Sequence, residues 1–376
     1  MGEAAVRVAV AGVAGMGLTH LLGAPKIEGY ELTAICDVVP DVLEKAARGA
    51  PDAKTFDSLD ELYRSGTVDA VILATPNWLH ADNIADALAA GLHVYCEKPL
   101  AVTVGECRTI SALARERDLR VQVGFQHRFQ HGFASAKRIV ERGDLGPLVR
   151  AEMRGTDWFR PDVYFKVRPW RARWDKAGGG VLMLQAIHQL DAFLWIAGMP
   201  SRVRAAASSG RDGVEVESDV SALLEYANGA TGVLTASTLI PSGTNRIELH
   251  GDRGVIRAEG ERARIGTWEQ PTSVMRVERT NPFEGVDVRW QDVEPSGDDA
   301  MTFNDCVMAC HRDFIDAIRN GREPLNNAEQ ATMSVEVCNA VYLSAVTGEP
   351  VDLPLDPVQY DAAFAQMCAG ELALAD

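Results

Sequence analysis

Positive charge is scarce in this sequence. Across 376 residues, 37 lysines and arginines face 53 aspartates and glutamates, a formal net charge of −16. That leaves no basic stripe to release counterions from a phosphate backbone, which argues against a nucleic-acid partner and against docking to an anionic membrane surface. Long apolar runs are absent too, and nothing approaches the roughly 18 consecutive apolar residues of a membrane span. The opening "MGEAAVRVAVAG" passes straight into a strand pattern without a basic segment or cleavage site, so no leader and a cytoplasmic location are expected. Cysteines number only seven and are scattered, which fits reduced thiols better than a disulfide framework. Cys306 and Cys310 would share one face of a helix as core residues; no second pair or histidine completes a metal set, so no metal is expected.

What is present is 47% apolar, 24% charged and rich in glycine, in a chain too long for one ordinary core. Residues 6–124 alternate short apolar runs with helix-length segments. The runs "VRVAVAG" (6–12), "ELTAICD" (31–37), "VDAVILATP" (68–76), "LHVYCEKP" (92–99) and "LRVQVGFQ" (119–126) are nearly unbroken, as in strands covered on both faces. The intervening segments carry apolar residues at helical spacing, and the alternation predicts an α/β, doubly wound parallel sheet. After residue 128 the rhythm changes. A helix over about 131–142 is followed by a turn-rich aromatic stretch, 157–177, and a helix in "GGGVLMLQAIHQLDAFLWIAG". Strand-like segments then run from 200 to about 293, with Asn228-Gly229 as a hairpin signal, before two closing helices. A second, α+β domain with an open, mostly antiparallel sheet is therefore expected. The predicted boundaries are 1–127, 128–354 and a tail, 355–376, to which the pattern assigns no role.

The first strand runs into "GVAGMGLTH", where Gly12 and Gly17 fit the G-x-G-x-x-G template but Ala14 holds the middle place and Gly15 follows it. Asp37, at the tip of the second strand, lies where a carboxylate accepts hydrogen bonds from ribose hydroxyls. It would repel a 2′-phosphate, which favours NAD(H) over NADP(H). A plain turn aspartate before Pro40 is the other reading of Asp37. In "ATPNWLH" (74–80), Thr75 and Asn77 stand where such a sheet presents its ligand crevice, with His80 opening a helix; helix capping is the alternative for Asn77. Glu97, Lys98 and Pro99 end a buried strand on adjacent opposite charges. At a strand's carboxyl end Lys98 would face the crevice, where desolvation lowers an amine's pKa; a surface lysine paired with Glu97 is the alternative.

"LATPNWLHADNIADALAAGLHVYCEKPLA" resembles, nearly residue for residue, the Gfo/Idh/MocA oxidoreductases, which include glucose–fructose oxidoreductase and inositol dehydrogenases. The likeness continues through "GFQHRF" (124–129), "PWRARW" (169–174), "GGGVLMLQAIHQLD" (178–191) and the closing helices, covering about residues 6–354. It implies a Rossmann domain followed by a substrate and oligomerisation domain, forming a homodimer or homotetramer. Carried onto this chain, Lys98 lies beside the nicotinamide and the substrate hydroxyl, with a cis bond at Pro99, and His188 is the second acid/base or a substrate ligand. The cofactor contacts implied are Gly12, Ala14, Gly15, Met16 and Gly17 in the first turn and Asp37 after the second strand. Ala74, Thr75, Asn77 and His80 follow, then Glu97, Lys98 and Gln126, and last the Trp170-Arg171 pair, which also reads as loop packing. Substrate contacts implied are Lys98, Arg128, Tyr164, Arg168, Gln185 and His188, with Lys166 beside them in a basic, aromatic loop.

One departure is visible. Many relatives have a carboxylate, and a subgroup an asparagine, where this chain has Leu184. On a continuous helix Leu184 and His188 would share a face, and His188 loses its polar partner; a structural histidine is the alternative, and Asp191 reads as structural. The leading expectation is an NAD(H)-dependent oxidoreductase acting on a secondary alcohol of a sugar, glycoside, cyclitol or related ring polyol. A non-catalytic dinucleotide-binding regulator and an NAD-retaining glycosidase are the alternatives.

Overall fold

The computed structural model describes residues 4–295 and 302–374; the opening residues 1–3 and the end of the tail, 375–376, lie outside the described residues. Contacts divide the chain into two units, Met1–Gln126 with Phe303–Val335, and His127–Thr302 with Glu336–Asp376.

The first unit is built on six parallel strands, β1 (Val6–Ala11), β2 (Tyr30–Cys36), β3 (Lys54–Phe56), β4 (Ala70–Leu73), β5 (His93–Cys96) and β6 (Val121–Val123), in the order β3-β2-β1-β4-β5-β6. The unbroken apolar runs have their expected cause: β4 is buried at every position, and β1 at all but one. A parallel sheet needs helices on both faces, so alternation is lost. β3 has no apolar run to announce it. The order reverses between β1 and β4, which places a ligand crevice at the carboxyl ends of these strands.

Chain order misassigns one segment. Residues 303–335 belong to the first unit, whereas the expected boundaries put them in the second domain. The helix Phe303–Asn320 lies against β1, Gln122 Nε2 donates to the Cys310 carbonyl at 2.7 Å, and Asn326 Nδ2 donates to the Phe125 carbonyl at 3.0 Å. Two buried amide nitrogens thus find their acceptors between segments about two hundred residues apart in the chain. Cys306 and Cys310 are buried in that helix.

The second unit holds nine strands: β7 (Leu148–Gly155), β8 (Arg202–Ser208), β9 (Asp219–Glu225), β10 (Thr231–Ser237), β11 (Asn245–Gly251), β12 (Gly254–Glu259), β13 (Arg262–Thr267), β14 (Arg289–Asp292) and β15 (Val351–Asp352). Their order is β14-β13-β12-β11-β7-β10-β9-β8-β15, antiparallel except where β7 pairs with β10. Here one face is covered, so β9 alternates: Val220, Ala222 and Leu224 are buried, while Ser221, Leu223 and Glu225 are exposed. Asn228-Gly229 turns β9 into β10, Gly229 taking φ 84°. The helices His131–Glu141 and Ile187–Ala197 pack on this sheet. A helix, Thr272–Glu278, interrupts the expected strand region. The tail is part of the second unit: Asp356 caps the helix Pro357–Ala369 by accepting from Val358 N at 3.0 Å, and Tyr360 and Met367 are buried. Among the described residues no single helix is long and apolar enough to cross a membrane.

Candidate active site

At the switch point β1 turns into the helix Met16–Gly23 through Gly12, at φ 79°, where a Cβ would meet the Ala74 carbonyl at 2.6 Å. A Cβ on Gly17 would strike the Gly12 carbonyl at 1.7 Å, so the helix crosses the strand at glycine-only range. Ala14 and Gly15 are exposed at the head of the helix, Met16 half-buried. The alanine of the imperfect motif therefore occupies no crowded place. Helix N-termini present unpaired amides to a phosphate, so this turn fits a dinucleotide's pyrophosphate.

Asp37 follows β2, half-buried, and accepts the Val13 amide at 3.0 Å on Oδ2 and the Val39 amide at 2.9 Å on Oδ1. It thus ties the glycine turn to its own loop. Two accepted bonds leave carboxylate lone pairs for a ribose diol. Ala74 and Thr75 lie half-buried after β4, and Asn83 Nδ2 donates to Thr75 Oγ1 at 3.1 Å. Asn77 begins a short turn, Asn77–Leu79, but the cap positions of this turn and of the following helix are Pro76 and Leu79. Gln126 is buried where the first unit ends.

Lys98 follows β5 and is half-buried between the buried Glu97 and Pro99, with the Lys98–Pro99 peptide cis. Two expected cofactor contacts, His80 and Glu97, have protein partners here. His80 is only 1% exposed, its Nδ1 lying 2.6 Å from the Pro99 carbonyl and its Nε2 2.8 Å from the Thr75 carbonyl. Its ring is committed to bracing the two strand ends, and burial lowers its pKa, with neighbouring Lys98 adding to the effect. The Glu97 carboxylate is likewise turned inward, 2.9 Å from His20 Nε2.

In the second unit, "GGGVLMLQAIHQLD" is not one helix. Val181–Leu184 and Ile187–Ala197 are separate, and the helical path bends by 59° between them. The Ala186 amide reaches back five residues to the Val181 carbonyl, at 2.8 Å, a widened turn of the kind that marks functional sites. The shared face expected for Leu184 and His188 is therefore lost. Gln185 sits in the break and donates from Nε2 to Tyr164 Oη at 2.7 Å. His188 is buried, its ring 5.0 Å from that of His127.

The glycines have a local reason. A Cβ on Gly180 would strike the Glu217 carbonyl at 1.8 Å, and one on Gly179 the Tyr342 hydroxyl at 2.2 Å. Glu217 then accepts the Gly180 amide at 2.6 Å, the Leu182 amide at 2.9 Å and the Tyr342 hydroxyl at 3.1 Å. Burial nonetheless pushes its carboxyl up to about 7.

Arg171 lies half-buried, its guanidinium 3.9 Å from the Tyr164 ring centroid and 5.6 Å from that of Trp170. Burial lowers its pKa, and the nearby Arg168 and Arg160 charges add to this. Lys166 and Arg168 are exposed on the same loop. Arg128, expected to touch substrate, is 1% exposed and paired with Asp191, Nε to Oδ2 at 2.8 Å and Nη2 to Oδ1 at 2.7 Å. Its guanidinium carbon lies 5.5 Å from the Trp195 ring centroid. Among the described residues no group of three metal-binding side chains occurs. Sequence reasoning missed His20, Glu217 and His311. A lone histidine or glutamate carries no motif, and their partners are distant in the chain.

Known proteins share this arrangement. Residues 6–125 match the family described as "Oxidoreductase family, NAD-binding Rossmann fold", and residues 133–257 match the "GFO/IDH/MocA C-terminal domain". The chain is 27% identical to scyllo-inositol 2-dehydrogenase (NAD(+)) of Bacillus subtilis over 360 residues, covering 93% of this chain and 97% of that protein. It is 28% identical to the rhizopine catabolism protein MocA of Rhizobium meliloti over 242 residues, 63% of this chain and 73% of that one. The structure of the WlbA dehydrogenase from Bordetella pertussis, in complex with NADH and UDP-GlcNAcA, is 26% identical and superposes with a TM-score of 0.77 over 94% of this chain and all of that one. The two-part fold, the glycine turn at the switch point and these matches place the chain in the GFO/IDH/MocA family of NAD-binding oxidoreductases.

Proposed function

We propose that this chain is an NAD(H)-dependent dehydrogenase that transfers a hydride to or from a secondary alcohol carbon of a sugar, glycoside, cyclitol or related ring polyol. The observation that carries the reading is Lys98: a half-buried amine at the carboxyl end of β5, beside the strand reversal that holds the dinucleotide turn. When bound, NAD+ supplies the hydride acceptor. The neutral Lys98 amine takes the hydroxyl proton as the carbonyl forms, and returns it in the reverse direction. His188 serves as a second acid/base or hydroxyl ligand, its imidazole suited to near-neutral pH. Gln185, Tyr164 and Arg168 line the substrate, and Trp170 and Arg171 the nicotinamide side. Asp37 selects NAD(H), and the working form is a cytoplasmic homodimer or homotetramer. The relatives named for inositol oxidation and the WlbA complex with a nucleotide sugar support the substrate class.

Incubating the protein with NAD+ and a panel of inositols, hexoses, glycosides and uronates, while following NADH absorbance, tests this. NADH appearing with at least one ring polyol is expected. NADH binding without turnover of any panel member would favour a regulator, and aglycone release without NADH accumulation a glycosidase.

A further inference from the structure

Behind Lys98 the first unit buries a second titratable cluster. His20, on the helix Met16–Gly23, and His311, on the helix Phe303–Asn320, are both 0% exposed. His20 Nε2 lies 2.9 Å from Glu97 Oε1, and its Nδ1 lies 2.8 Å from His311 Nε2. The His311 ring stacks on Tyr95 at 4.7 Å, and its own Nδ1 has no hydrogen-bond partner.

An ionised carboxylate only accepts, so His20 Nε2–H donates to Glu97. Its other ring nitrogen, Nδ1, shares one proton with His311 Nε2. The far nitrogen of His311, Nδ1, lies among aromatic rings. Burial holds His311 well below the ordinary histidine range, which keeps it neutral. Burial pushes the Glu97 carboxyl up, but the hydrogen bond and charge of His20, the Lys98 charge and the Lys98 backbone amide outweigh it and hold Glu97 below the usual glutamate range. The same carboxylate therefore binds the histidine chain on one side and the Lys98 amide on the other. Around it, burial raises Tyr30, Tyr95, Cys96 and Cys310 and lowers His80, while the Asp313 charge reaches Cys310. A buried polar atom without a partner is unfavourable.

We propose that His20 and His311 are positioning residues for Lys98: the two-histidine chain draws charge from the Glu97 carboxylate and so limits how strongly it holds Lys98 as an ammonium. The proposal rests on the reading of Lys98 as the acid/base group.

The test compares wild type with His311→Gln, whose side-chain amide can still hydrogen-bond His20 Nδ1, and His311→Leu, which packs but cannot. His311→Leu should lower kcat for polyol oxidation by about tenfold and leave KM for NAD+ within about twofold. It should also move the pH midpoint for acylation of the Lys98 amine, read by mass spectrometry on the NADH-bound full chain, to higher pH. His311→Gln should restore both values. His311→Leu matching wild type in both, or Gln and Leu impaired alike, would overturn the proposal. Should no polyol be oxidised, the dehydrogenase reading fails while the acylation midpoint still decides the chain. If His311→Leu does not fold, His311→Met carries the same comparison.

Discussion

At the scale of single residues, similar sequence cues led to different fates. Asp37 and Lys98 stand at strand ends near the switch point, where the motif spacing puts them. Arg128 and His80 are buried on protein partners that the sequence does not announce. A polar side chain in a matching motif announces that it needs a partner, but not whether that partner is a ligand or another buried group. For Arg128 the partner is Asp191, whose carboxyl burial pushes up even though the guanidinium opposes it. Removing one member leaves the other charge unpaired in the core, so Asp191→Ala should destabilise the second unit by about 3–5 kcal/mol in urea unfolding. Replacing both by apolar residues should recover much of that loss. Asp37→Ala should shrink the preference for NAD+ over NADP+ by about tenfold in kcat/KM, as the repulsion of a 2′-phosphate disappears. It should weaken both cofactors as well, because the Val13 and Val39 amides lose their acceptor. An unchanged preference would place ribose recognition elsewhere.

At the scale of elements, strands covered on both faces betrayed themselves by unbroken apolar runs, and the hairpin of β9 and β10 by Asn228-Gly229. The break at Gln185 was hidden because its residues are all good helix formers. What bends the path is the widened turn and the grip of Glu217 on Gly180 and Leu182, a residue about thirty positions downstream. That grip has a pH signature. The folded Glu217 carboxyl titrates at about 7 against 4.5 for the free group, so the folded state holds the extra proton between these values. Stability from this group is therefore fullest below pH 4.5 and falls as pH rises to about 7, by up to about 3 kcal/mol. Thermal unfolding followed across that window should show the decline, and Glu217→Gln should flatten it. A wild-type profile without the decline would mean that the three hydrogen bonds keep the carboxylate ionised.

At the scale of the whole molecule, fold class was legible because each sheet type writes its own burial rhythm into the sequence. The return of residues 303–335 to the first unit was not, since an amphipathic helix shows that it has a partner without naming it. That return matters, because it brings His311 and Asn326 to the unit that carries Lys98. The central claim is that the Lys98 amine handles the substrate proton. Its most direct measurement is turnover of an oxidised polyol by Lys98→Ala beside its affinity for NADH. Turnover should fall by about a hundred- to ten-thousandfold while NADH binds nearly as in the wild type; near-normal turnover would contradict the claim.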